Sequence, residues 1–214
     1  MAKPPSSSFE RMLENNVEWA KEVEDEDPGF FNKSAKGQKP HTLWFGCSDS
    51  RVPESVITKS RPGDIFVHRN IANQVLLYDS NAISVLDYAV NHVGVENVVV
   101  VGHTHCGGVT HSLKVVQNGT AATLPHFSPA LNQWLSPLIR FISSISIPKV
   151  DDPLTFLIEE NVKNQVENVW QTETMQRVLR EGKGPKGNKV RVHGWIYELE
   201  TGHLRDLNVT RGPP

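Results

Sequence analysis

An α/β fold, with a mainly parallel central β-sheet flanked by helices, is the architecture this sequence predicts, and three observations predict it. Short apolar runs read as strands: Thr42-Leu43-Trp44-Phe45 and Asn97-Val98-Val99-Val100-Val101 as buried ones, and Ile65-Phe66-Val67-His68 between them. Helical patterns separate them, which is the alternation of right-handed parallel crossovers. Near the C-terminus residues 190–199 alternate apolar and polar, and Glu200-Thr201-Gly202-His203 turns that strand back onto residues 204–209 as an antiparallel edge hairpin. A chain of 214 residues suffices for one well-buried core. A single domain over 1–214 is therefore predicted, with 1–30 as an N-terminal helical arm.

In chain order, Phe9, Met12, Leu13, Val17 and Ala20 fall on one helical stripe behind serines that can cap it. The charged tail from Glu22 to Asp27 ends at Pro28-Gly29, and this arm could pack on its own domain or lie across a partner subunit. Gly37-Gln38-Lys39-Pro40 turns into the first strand, and a short helix is expected near 53–57. Arg61-Pro62-Gly63-Asp64 turns the chain into the second strand. Ser80 is the expected cap of a helix burying Ile83, Leu86, Ala89 and Val90. After the third strand, 109–116 reads as helix, and 128–145 as a mainly helical stretch broken by Pro137. Asp151-Asp152-Pro153, with acid at the cap and proline in the first turn, opens one long helix to about Arg180. Residues 182–188 form a loop.

Composition excludes several function classes. With 22 basic against 24 acidic side chains there is no cationic footprint for nucleic acid. No apolar run reaches membrane-spanning length, and the first residues carry neither a signal core nor an import pattern, so the chain reads as cytoplasmic. Two cysteines in such a chain argue for metal or catalysis over a disulfide.

Both cysteines sit where a strand ends, in Gly46-Cys47-Ser48-Asp49-Ser50-Arg51-Val52 and Gly102-His103-Thr104-His105-Cys106-Gly107-Gly108. Side chains beyond the carboxyl ends of parallel strands can converge on one point, and Cys47, His103 and Cys106 would meet there. Thiolate and imidazole are zinc ligands, and three of them leave a fourth position for water or substrate. Two buried cysteines and a satisfied histidine filling the core is the competing reading of the same spacing. Asp49 and Arg51 add a carboxylate and a guanidinium beside the first ligand. Held by Arg51, Asp49 could accept a hydrogen bond from metal-bound water or ligate the metal itself; the alternative is an exposed ion pair of little worth. The spacing of Gly102 and Gly107 is that of a phosphate loop, but Gly108-Val109 stand where lysine and a hydroxyl residue belong, so nucleotide binding is rejected. No role is assigned to His105 or His111.

Together, Cys-Ser-Asp-Ser-Arg-Val from Cys47 and Gly-His-Thr-His-Cys-Gly-Gly from Gly102 resemble the β-class carbonic anhydrases. Supporting matches run from about Gln38 to Gly108, including Arg61-Pro62-Gly63-Asp64, Phe66-Val67-His68-Arg69-Asn70 and Ala72-Asn73, with His193-Gly194-Trp195 beyond. The resemblance implies reversible hydration of carbon dioxide to bicarbonate and a proton, one zinc ion per chain on Cys47, His103 and Cys106, and Asp49 with Arg51 as the dyad orienting zinc-bound hydroxide. It further implies a homodimer or a dimer of dimers with sites at the subunit boundary. There Gln38, Phe66 and Tyr88 line the substrate pocket, partly from the neighbouring chain, and the amide of Gly107 faces the substrate. Apolar Phe66 and Val52 suit an uncharged gas, and Gln38 can donate to one of its oxygens.

Trp44, Gly46 and Arg69 resemble the bicarbonate-binding trio of a regulated subgroup in which Asp49 closes the fourth zinc position, favoured by low pH; their competing reading is a buried strand residue and a structural cation. Two other functions remain at this level: the same fold and metal acting on carbon disulfide or carbonyl sulfide, and a zinc-stabilised interaction module without turnover. Structural zinc sites commit four protein ligands, which disfavours the last.

Overall fold

The computed structural model describes residues 7–118 and 128–213. The chain forms two compact units, Met1–Gln38 and Lys39–Pro214.

The first unit holds α1 (Ser8–Glu26) and α2 (Phe30–Ser34). Ser7 and Glu10 form a reciprocal cap: the Glu10 amide donates to Ser7 Oγ at 3.2 Å and the Ser7 amide to Glu10 Oε2 at 2.7 Å. Trp19 packs edge-on against Phe31 at 5.8 Å between ring centroids. Phe9, Met12, Leu13 and Val17 of the apolar stripe carry exposed side chains. Helix α2 was not anticipated; five residues are too few to show a period.

In the second unit five strands form one sheet of order β2-β1-β3-β4-β5: β1 (Thr42–Cys47), β2 (Ile65–Asn70), β3 (Asn97–His103), β4 (Arg191–Glu198) and β5 (His203–Asp206). The first four are parallel and only β5 runs antiparallel, against β4. The chain lays β2 on one side of β1 and β3 on the other, so the strand order reverses between β1 and β3, where ligands bind in sheets of this kind. Strands β1 and β3 run two residues further than their apolar runs, so Cys47 and His103 are terminal strand residues rather than loop residues.

Alternation divides the core. Leu43, Phe45, Val98 and Val100 face the larger cluster, to which α4 (Ser80–Tyr88), α5 (Gly107–Asn118), α6 (Pro129–Ser144), α7 (Pro153–Gln171) and α8 (Glu173–Glu181) all contribute. Trp44, Val99 and Val101 face a smaller one, with Ile57 of the short α3 (Glu54–Ile57) against it.

Three expected helix boundaries are corrected. Asp79, not Ser80, caps α4, its carboxylate accepting from the Asn81 amide at 3.0 Å. Pro137 does not break α6: its missing amide costs one bond, while Leu135, Leu138 and Ile142 bury the same helix face on both sides of it. The long helix expected from Asp152 is two helices, because Thr172 leaves helical geometry (ψ 150°), ends α7 and caps α8 by accepting from the Met175 amide.

Helix α7 sits on β3 and β4 through two glycines. A Cβ on Gly102 would lie 2.6 Å from Val162 Cγ2, and one on Gly194 would lie 2.7 Å from Val209 Cγ2 and 3.0 Å from Val162 Cγ1. Gly102→Ala is expected to destabilise the fold by about 1–3 kcal/mol through overpacking, lowering the melting temperature by roughly 2–4 °C per kcal/mol. Thermal unfolding of the variant checks this, and an unchanged midpoint would show that α7 can shift at no cost. Among the described residues no helix is long and apolar enough to cross a membrane.

Candidate metal centre

Adjacent parallel strands β1 and β3 end side by side, and this brings the two motifs together. Cys47 closes β1, His103 closes β3, and Cys106 follows one turn later at the head of α5. Their ligand atoms all lie within 4.8 Å of one another, and all three side chains are buried.

The backbone prepares each ligand. His103 Nδ1 is 2.9 Å from the Thr104 carbonyl, which can only accept, so Nδ1 carries the proton and Nε2 presents a lone pair. His103 Nε2 is buried and has no hydrogen-bond partner among the described residues. An orphaned imidazole nitrogen facing two thiols fits a thiophilic divalent cation and costs free energy without one. The Asp49 amide points at the Cys47 sulfur, and the Gly108 and Val109 amides at the Cys106 sulfur. The Cys47 thiol is pushed well below its ordinary value, chiefly by its hydrogen bond with Cys106 and also by His103. Cys106 moves up, because negative charge on Cys47 and burial both oppose a second thiolate. Two sulfurs this close cannot both be anionic unless a cation neutralises them.

Beside the cluster, Asp49 and Arg51 form a two-pronged pair: Arg51 Nε donates to Oδ1 at 2.9 Å and a terminal guanidinium nitrogen to Oδ2 at 2.7 Å. The Arg51 amide adds a third bond to Oδ1. Arg51 therefore holds the Asp49 carboxyl well below the usual carboxylate range. Asp49 Oδ2 stands 3.9 Å from His103 Nε2, at the rim of the cluster rather than within it.

A carbonic anhydrase family profile matches residues 42–204, which include every residue of this cluster. A carbonic anhydrase of Emericella nidulans is 38% identical over 94% of this chain and 84% of its own length. Among solved structures, a tetrameric β-carbonic anhydrase of Sordaria macrospora covers 96% of this chain and 100% of its own at TM-score 0.82 and 32% identity. The chain belongs to the β-class carbonic anhydrase family. A Coccomyxa β-carbonic anhydrase solved with acetazolamide is similar as well, at TM-score 0.83 and 30% identity over 97% of this chain and 90% of its own.

The remaining residues predicted for a β-carbonic anhydrase site fall into three groups. Val52 is buried in the same core cluster as Cys47 and Cys106, and Gly107 opens α5 with free space on its Cβ side. Phe66 and Tyr88 stack on each other at 6.0 Å between ring centroids. They do so at the far end of the sheet, since Phe66 pairs with Leu43 whereas Cys47 pairs with Asn70. Four residues of strand separate those levels, roughly 13 Å. Gln38 is the exposed last residue of the N-terminal unit.

Trp44, Gly46 and Arg69 have evident structural work. The Trp44 indole lies against Gly46, where a Cβ would come within 2.3 Å of Nε1, and it packs edge-on against Trp195. Arg69 braces the first motif, its Nε donating to the Cys47 carbonyl at 2.7 Å and a terminal nitrogen to the Asp49 carbonyl at 2.5 Å. Sequence reasoning missed Glu200, whose carboxylate reaches Thr104 and His105 inside the second motif.

Proposed function

We propose that this carbonic anhydrase holds one zinc ion per chain on Cys47, His103 and Cys106 and uses it to hydrate carbon dioxide reversibly to bicarbonate and a proton. The observation that carries the reading is the buried cluster of two sulfurs and an orphaned imidazole nitrogen, a donor set that suits zinc. When bound, zinc supplies Lewis acidity, which makes hydroxide available near neutral pH. Everything else falls to side chains of the protein.

Asp49 stays ionised because Arg51 spans both its oxygens, and an ionised carboxylate can only accept. It therefore engages the O–H of the attacking oxygen and leaves the lone pair free for carbon. Arg51 occupies both oxygens of Asp49, so turning one of them to the metal would weaken the pair, which supports an open resting site. Closure linked to bicarbonate at Trp44, Gly46 and Arg69 would draw an Asp49 oxygen off Arg51. Val52, Phe66 and Tyr88 supply apolar walls for the gas, Gln38 a donor for one of its oxygens, and Gly107 an amide facing it.

Phe66 and Tyr88 stand too far along the sheet to line the cluster of their own chain, so in this reading they serve a neighbouring copy. A homodimer or dimer of dimers follows, as in the tetrameric Sordaria relative, with the exposed stripe of α1 available to lie across the partner. Two free thiols suit a reducing compartment, and we place the enzyme in the cytoplasm.

Stopped-flow hydration of carbon dioxide by zinc-loaded protein, followed with a pH indicator, tests the proposal. Turnover should rise from neutral to mildly alkaline pH, because acid protonates the nucleophile. Acetazolamide, bound in the Coccomyxa structure, should inhibit it. Zinc-loaded protein without turnover would sink the reading.

A further inference from the structure

The second ligand motif has an unusual shape. Between His103 and Cys106 the chain must leave a strand and enter a helix in two residues, and His105 does this with a backbone φ of +54°, a left-handed conformation that a β-carbon disfavours. Left to itself, such a turn would relax and carry Cys106 away from His103.

One carboxylate from a different element holds it. Glu200 lies in the turn between β4 and β5, almost a hundred residues downstream, and its two oxygens bind the two residues between the ligands. Oε2 accepts from Thr104 Oγ1 at 2.7 Å, and Oε1 accepts from His105 Nε2 at 2.5 Å. The Thr104 hydroxyl also accepts from the Leu199 amide at 2.9 Å, which fixes its proton toward Glu200. The Thr104 amide donates to the Tyr197 carbonyl at 3.0 Å, continuing the pairing of β3 with β4 past His103. Thr104 is nearly buried, so its hydroxyl has little access to water as an alternative partner. Each bond alone would be modest. Together they fix both residues of a two-residue connection.

We propose that Glu200 is a positioning residue for the metal centre: through Thr104 and His105 it holds the His103–Cys106 turn in the shape that keeps both ligands on one ion. This rests on the zinc reading above and adds to it a residue outside both ligand motifs, which touches neither substrate nor metal.

Loss of metal to a chromophoric chelator, from zinc-loaded wild-type, Glu200→Ala and Glu200→Gln protein, tests the inference, with absorption spectra of the cobalt-substituted forms. Glu200→Ala should release zinc about tenfold faster and shift the cobalt ligand-field bands, because partners beyond the ligands set ligand geometry. Glu200→Gln keeps an acceptor for Thr104 and should stay within about twofold of wild type. In turnover the alanine variant should lose kcat with KM little changed. Wild-type release rate and an unshifted cobalt spectrum in Glu200→Ala would overturn the inference. If that variant does not fold, Thr104→Val removes the same hydroxyl bond, and retention of metal as in wild type would overturn it equally. Wild-type protein that takes up no zinc would overturn the metal reading, and this inference with it.

Discussion

Cys106→Ser protein is expected to emerge from purification without its metal and to hydrate carbon dioxide at least a hundredfold more slowly than wild type, an estimate of about 3 kcal/mol from the loss of Lewis-acid chemistry. Charge and reach both set this loss. Cys106 is buried, and the amides of Gly108 and Val109 point at its sulfur, an arrangement that stabilises a thiolate. A serine oxygen is smaller, sits closer to the backbone and keeps its proton at neutral pH, so His103 and Cys47 are left as an incomplete set. The substitution removes little volume, and a melting curve close to that of metal-free wild type should show the fold intact. Stoichiometric zinc with near-wild-type turnover in this variant would remove Cys106 from the mechanism.

How much of this centre could be read in advance depends on whether the information is local. Cys47 and the His103-x-x-Cys106 pair announce themselves because each directly follows an apolar strand, and parallel strands deliver their carboxyl ends to a common edge. The sheet itself was legible for the same reason, being written in short apolar runs. Boundaries were less so where two adjacent residues offer the same chemistry, as Asp79 and Ser80 do for capping. Thr172 escaped notice because apolar residues recur at helical spacing on both sides of it, through Val169, Met175 and Val178, and the period hides the kink. Glu200 was invisible on other grounds. Its sequence context is an ordinary hairpin turn, and its meaning lies in Thr104 and His105, which only the β3–β4 pairing brings within reach. Phe66 and Tyr88 mark a further limit. Their stacking is local to one chain, but the role proposed for them at the metal centre would need a second chain, and nothing in a periodicity can express that.

Asp49→Asn and Arg51→Ala should separate holding the metal from using it. Both variants are expected to retain one zinc per chain, because Asp49 lies at the rim of the cluster, with its oxygens on Arg51. Asp49→Asn should lower kcat about a hundredfold, at the modest end for loss of a positioned proton-holding group, since an amide can turn its N–H toward the attacking oxygen and spoil its orientation. Arg51→Ala should cost about tenfold, because Arg51 is half exposed and acts only by keeping the carboxylate in place. The two losses should also differ in pH dependence. Arg51 depresses the Asp49 pKa, so the stability this pair contributes is present above the ordinary carboxylate value and lost as pH falls through the depressed one. Removing Arg51 lets that value rise toward the ordinary range near 3.8, still far below neutrality, so Asp49 stays charged wherever the enzyme turns over. The Arg51→Ala defect should then be constant from pH 6 to 9, a loss of position rather than of charge, in a stopped-flow profile beside wild type. Metal analysis decides what Asp49 does in the resting protein. Zinc retained in Asp49→Asn agrees with an open site, whereas faster zinc loss from that variant than from Arg51→Ala would make the carboxylate a ligand and the resting site a closed one.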